Sequence, residues 1–92
     1  MRVETVHAIV IAHGRVQGVF YRDTIRRAAV EFGVAGSAVN IPDGRVECHF
    51  EGTRADVEAM IEVAREGSSS ASVRELRVSW SEPTGLTGFQ TG

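Results

Sequence analysis

The 92-residue chain has no lysine, a single cysteine, two prolines and no apolar run long enough to cross a membrane. All ten basic residues are arginine, a bias that GC-rich codons explain together with the abundant Ala, Val and Gly, so each arginine needs its own argument. Cys48 alone builds neither an intrachain disulfide framework nor a cysteine cluster for zinc, and a reducing cytoplasm is the expected setting. The N-terminal apolar run from Ala8 to Ala12, flanked by Glu4, His7 and His13, is too short for the core of a signal peptide or for a membrane span. A formal net charge of −2 leaves no general basic footprint for nucleic acid, so any anion site must be local. With 42% hydrophobic and 24% charged residues, the composition is that of a globular fold rather than a disordered or membrane chain. The length allows one compact domain, 1–92, with a monomer as the default, and excludes a cofactor module beside a substrate module.

What is present is a succession of hydrophobic periods. Val3 to Ala12 reads as a first strand, with Val6, Ala8 and Val10 on one face and Ile9 and Ile11 on the other, as in a central strand. Tyr21, Ile25, Ala28, Ala29 and Phe32 recur at helical spacing over Tyr21 to Phe32, and Gly33 stands at the expected stop. Ala35 to Asn40 is a short extended run, and Ile41-Pro42-Asp43-Gly44 has turn chemistry, with Asp43 read as a turn residue. Arg45 to Glu51 alternates, placing Val46, Cys48 and Phe50 inward and Arg45, Glu47, His49 and Glu51 outward. Thr53 is the expected cap of a second helix, with Asp56 at the acidic position of a capping box, Val57, Met60, Ile61 and Ala64 as its apolar stripe and Gly67 at its end. Beyond the serine-rich connector Ser68 to Ser72, Leu76, Val78 and Trp80 alternate with Glu75, Arg77 and Ser79 as the last strand, and a turn over Pro83 to Gly88 leads to Phe89. The order β-α-β-β-α-β predicts an α+β, ferredoxin-like sandwich, a mostly antiparallel sheet with two helices packed on one face.

A βαβ unit joins parallel strands, so strands one and two finish at the same edge of the sheet with strand three between them. The segment Gly14 to Phe20, the start of the first helix and Asn40 therefore converge. In Gly14-Arg15-Val16-Gln17-Gly18-Val19-Phe20-Tyr21-Arg22, two glycines allow the backbone to curl so that successive N–H groups point into one concavity, and the helix start adds its own free N–H groups. Such a nest suits an oxyanion, and Arg22 in the first helical turn brings a planar five-donor guanidinium to the same point. Phe20 and Tyr21 read as packing at the helix entry, and Asn40, taken alone, as a turn former.

The run GRVQGVFYR resembles the signature of the acylphosphatase family. The second segment, Gly36-Ser37-Ala38-Val39-Asn40-Ile41-Pro42-Asp43-Gly44-Arg45-Val46, resembles that family's G-x-V-x-N-x-x-D-G-x-V motif, and the match continues through Glu51-Gly52. The resemblance implies hydrolysis of acyl phosphates to a carboxylate and inorganic phosphate, with no metal and no cofactor. It also implies that Arg22 and the loop from Arg15 through Val16, Gln17, Gly18, Val19, Phe20 and Tyr21 hold the phosphate, and that Asn40 holds the attacking water. Ser37, Ala38 and Val39 replace the basic residue and Trp-Val usual before that asparagine, which bears on substrate reach beyond the phosphate. Gly67-Ser68 replaces the usual Gly-Pro.

Metal ligation is not expected, because His7 and His13 lie about 20 Å apart along one strand and Cys48 and His49 point to opposite faces. RNA-recognition domains share the βαββαβ order, but the third strand lacks their Gly-aromatic pattern and the first carries no aromatic, so no nucleic-acid partner is expected. The rival reading is a phosphate- or carbamoyl-phosphate-binding domain of the same fold without turnover. The expected partner is a small acyl phosphate, with no membrane association.

Overall fold

The computed structural model describes residues 4–92. Its elements run β1 (Thr5–Arg15), α1 (Tyr21–Phe32), β2 (Ala35–Asn40), β3 (Val46–Thr53), α2 (Arg54–Glu66), β4 (Ser72–Ser81) and β5 (Phe89–Thr91). The sheet order is β4-β1-β3-β2-β5, antiparallel except for the β2–β5 pair. This is the predicted α+β plan with one addition, the three-residue β5, too short to show a period. No helix among the described residues is long and apolar enough to cross a membrane.

Both helices end and begin where the sequence places them. Tyr21, Ile25 and Ala29, four residues apart, are the buried face of α1, and Gly33 N–H to Val30 with Val34 N–H to Ala29 closes it as a Schellman motif. Thr53 Oγ1 accepts the Asp56 N–H at 3.2 Å to start α2, whose Val57, Met60, Ile61 and Ala64 are buried. Those stripes close on one face of the sheet, where Ala8, Val10, Ala12, Ala38, Val46, Cys48 and Phe50 are fully buried. Burial and the neighbouring Glu47 charge push the Cys48 thiol up to about 12. The Tyr21 hydroxyl donates to the Ala64 carbonyl at 2.6 Å, tying α1 to α2 inside the core.

Three strands differ from expectation at their ends. Val3, taken as the start of the first strand, lies outside the described residues, and β1 runs past Ala12 to Arg15. It does so because Gly14 lets it press on β4: a Cβ there would stand 2.2 Å from the Ser72 carbonyl oxygen, at a φ of +128°. Gly14 therefore serves close strand approach at a bulge between His13 and Gly14 rather than the curl of an anion loop. β3 continues to Thr53, and β4 starts at Ser72, inside the expected connector.

On the other face, Glu51 was expected to face outward, and it does point away from the helices, yet it is buried. The segment after β4 folds across it, so that its carboxylate accepts the N–H groups of Thr84, Gly85 and Leu86 at 2.7–2.8 Å and His7 Nδ1–H at 2.8 Å. Burial alone would raise this carboxyl, but the His7 contact and the three backbone donors outweigh it and hold it at about 2. The chain of contacts continues from His7 Nε2 to His49 Nδ1 at 2.9 Å and from His49 Nε2 to Glu47 at 2.8 Å.

Candidate active site

The segment between β1 and α1 curls over residues 16–20, with Gly18 at φ 69° and Phe20 at φ 61°. None of the backbone N–H groups from Gln17 to Asp23 meets an acceptor among the described residues, and the first helical bond runs from the Thr24 N–H to the Phe20 carbonyl at 3.0 Å. A row of unpaired N–H groups at a helix start is an anion-binding arrangement. Val16, Gly18, Phe20, Tyr21 and Arg22 line a cleft of about 310 Å³ together with Asp23 and Thr91.

β5 brings the site together. Its parallel pairing with β2 carries the chain to Gly92, whose main-chain oxygen accepts both Arg22 Nη1–H at 2.8 Å and the Asn40 backbone N–H at 2.9 Å. Arg22 and Asn40, 18 positions apart in sequence, are thus neighbours through one shared atom. Arg22 keeps the rest of its five-donor fork for other acceptors. The side-chain Oδ1 of Asn40 is enclosed and has no donor among the described residues, which leaves it an acceptor awaiting an O–H or N–H group.

The other residues expected in the phosphate loop divide by role. Gln17 turns away from the cleft and donates Nε2 to the carbonyls of Ile41 and Arg45, both at 2.9 Å, bracing the turn that follows Asn40. Val19 is buried, its carbonyl accepting the Ser68 hydroxyl. Arg15 ends β1, exposed and paired in register with Ser72, and does not line the cleft. Val16 contributes a buried wall. Tyr21 packs at the helix entry as expected, but Phe20 does not: its ring is 78% exposed. Asp43 is a turn residue in fact, accepting the Arg45 N–H and pairing with the Arg45 guanidinium, whose hydrogen bond holds its carboxyl below the usual range.

Four participants carried no sequence signal. Thr91 ends the unpredicted β5 and Gly92 follows it, and Ser68 acts through a backbone carbonyl. Asp23 brings a negative charge to the cleft, partly offset by Arg26 and Arg27 at 2.9 and 3.0 Å. Among the described residues no three His, Cys, Asp or Glu side chains converge as a metal site would require.

The family model described as Acylphosphatase matches residues 8–91. The chain belongs to the acylphosphatase family. This acylphosphatase-family chain is 51% identical over 83 residues to an acylphosphatase of Haloarcula marismortui, covering 90% of this chain and 91% of that protein. Among solved structures it superimposes on the acylphosphatase from Bacillus subtilis with a TM-score of 0.91 at 31% identity, covering 95% of this chain and 98% of that one. The fold also occurs as a part of full-length HypF: all of this chain matches 12% of that protein, with a TM-score of 0.91 at 24% identity.

Proposed function

We propose that this chain hydrolyses the carboxyl–phosphate bond of small acyl phosphates, releasing a carboxylate and inorganic phosphate. The loop N–H groups and Arg22 hold the phosphoryl oxygens, and Asn40 orients the attacking water. The observation that carries these roles is the meeting of Arg22 and Asn40 on the Gly92 oxygen, beside a row of N–H groups with no acceptor.

Few polar groups suffice for this chemistry. The leaving group is a carboxylate, whose conjugate acid has a pKa of roughly 4, so it departs without a proton donor. Phosphoryl transfer then demands in-line placement of water and stabilisation of charge on the equatorial oxygens. A guanidinium and aligned N–H groups supply the stabilisation. The enclosed Asn40 Oδ1 supplies the placement by accepting one O–H of the water. An amide is no base, so the water's proton passes to a phosphoryl oxygen of the substrate. With a leaving group this weakly basic, the reaction asks for no Lewis acid.

Benzoyl phosphate tests the reading directly: the protein should hydrolyse it at the same rate with and without EDTA. Loss of turnover on chelation, restored by Mg²⁺ or Zn²⁺, would contradict the metal-free route. Tight phosphate binding with no turnover would favour a non-catalytic phosphate- or carbamoyl-phosphate-binding domain.

A further inference from the structure

We propose that the Phe20 ring is the platform on which the acyl group of the substrate rests, so that compact aromatic acyl phosphates are preferred over acetyl phosphate; this deepens the hydrolytic reading and rests on it. Nothing within the fold accounts for Phe20. Its side chain is 78% exposed, so it adds nothing to the core. It occupies the N-cap position of α1 and makes no capping bond. Its φ of 61° is the one positive value outside glycine among the described residues, in a region where an aromatic side chain is strained and glycine or asparagine is not. A strained, solvent-facing aromatic on the wall of a cleft points to a ligand.

The neighbours hold the ring there. Val19 is tethered by Ser68 through its carbonyl, Tyr21 is locked to Ala64 through its hydroxyl, and the Phe20 carbonyl takes both the N–H and the hydroxyl of Thr24. With its backbone pinned on both sides, Phe20 cannot turn its ring inward. In-line displacement sends the leaving group away from the water. Phe20 and Arg22 line the same cleft, so the acyl group of a phosphate held by Arg22 has the ring as a wall of its exit. A volume of about 310 Å³ is at the small end of small-molecule sites. It takes a phosphate with a compact acyl group.

The test compares wild type with Phe20→Ala and Phe20→Asn. Benzoyl phosphate and acetyl phosphate serve as substrates, and phenylphosphonate and methylphosphonate as non-hydrolysable ligands. The ratio of kcat/KM for benzoyl over acetyl phosphate should fall about tenfold in both variants, the scale on which one apolar contact discriminates. The preference for phenylphosphonate over methylphosphonate should fall with it. Phe20→Asn, which suits the left-handed backbone, should melt no lower than wild type, so the loss cannot be put down to unfolding. An unchanged ratio overturns the platform and leaves the hydrolytic reading standing. If wild type turned over neither substrate, the hydrolytic reading would fail, and the phosphonates alone would decide: a phenyl preference lost in the variants supports the platform, and equal binding overturns it.

Discussion

Arg22 and Asn40 share one hydrogen-bond acceptor, yet they should separate cleanly in experiment. In the proposed mechanism Arg22 holds the phosphate in the ground state, whereas the Asn40 side chain touches mainly the water. Removing one preorganised donor costs about 10²- to 10³-fold in rate, and Arg22→Ala also removes the charge, so its loss should be at least that large. Inorganic phosphate should stabilise wild type and Asn40→Ala to similar extents but Arg22→Ala hardly at all. At a hundred times its Kd, a ligand stabilises the native state by about 2.7 kcal/mol. At roughly 4–8 °C per kcal/mol for a domain of this size, the shift is easily read in a thermal melt at fixed ionic strength with chloride as control. A phosphate shift kept by Arg22→Ala and lost by Asn40→Ala would reverse the two roles. At this scale the sequence was most readable where a residue acts through its own side chain, as Arg22 and Asp43 do. It misleads at Phe20, which reads as packing at the helix entry but is exposed, its ring set by the backbone around it rather than by its own preference for burial.

Among the elements, β2 bears most directly on the site, because Asn40 is its last residue. Its register rests on Gly36, which lies so close to β3 that an added Cβ would stand 1.7 Å from the His49 carbonyl oxygen, at a φ of +148°. Gly36→Ala must open the β2–β3 ladder. It should lower stability by about 1–3 kcal/mol, as overpacking does, and cut turnover more than a surface variant of equal stability would, because Asn40 moves with the strand. A melt and a benzoyl phosphate assay below the melting point read both effects. The boundaries of α1 and β2 were legible to the residue because apolar spacing and flanking glycine agree there. β5 was not: beside its backbone pairing with Gly36, Ser37 and Ala38 it offers one apolar anchor, Phe89 stacked on Phe50, and three residues are too few to show a period. The burial of Glu51 was not legible either, because its three main-chain donors could be any residues.

For the molecule as a whole, Glu51 makes acid stability a measurable property. Its carboxyl falls from an ordinary 4.5 to about 2 on folding. A carboxylate depressed in the native state adds stability that is complete above its unfolded value and disappears as pH falls through its folded one. Unfolding free energy should therefore decline between about pH 4.5 and pH 2, and Glu51→Gln should flatten that decline while lowering stability at neutral pH. A denaturant series across this range, with the variant declining as steeply as wild type, would show that the carboxylate is not the group responsible. The burial of Cys48 has a consequence of a different kind. Acyl phosphates are electrophiles that acylate thiolates and amines, and this chain offers them little to attack. Its one thiol is sealed in the core and protonated, it has no lysine amine, and the phenol nearest the cleft, Tyr21, is bonded to Ala64 with burial holding its proton in place. The cleft lining holds no thiol, lysine amine or imidazole, so an acylating agent bound there meets no strong nucleophile to mark.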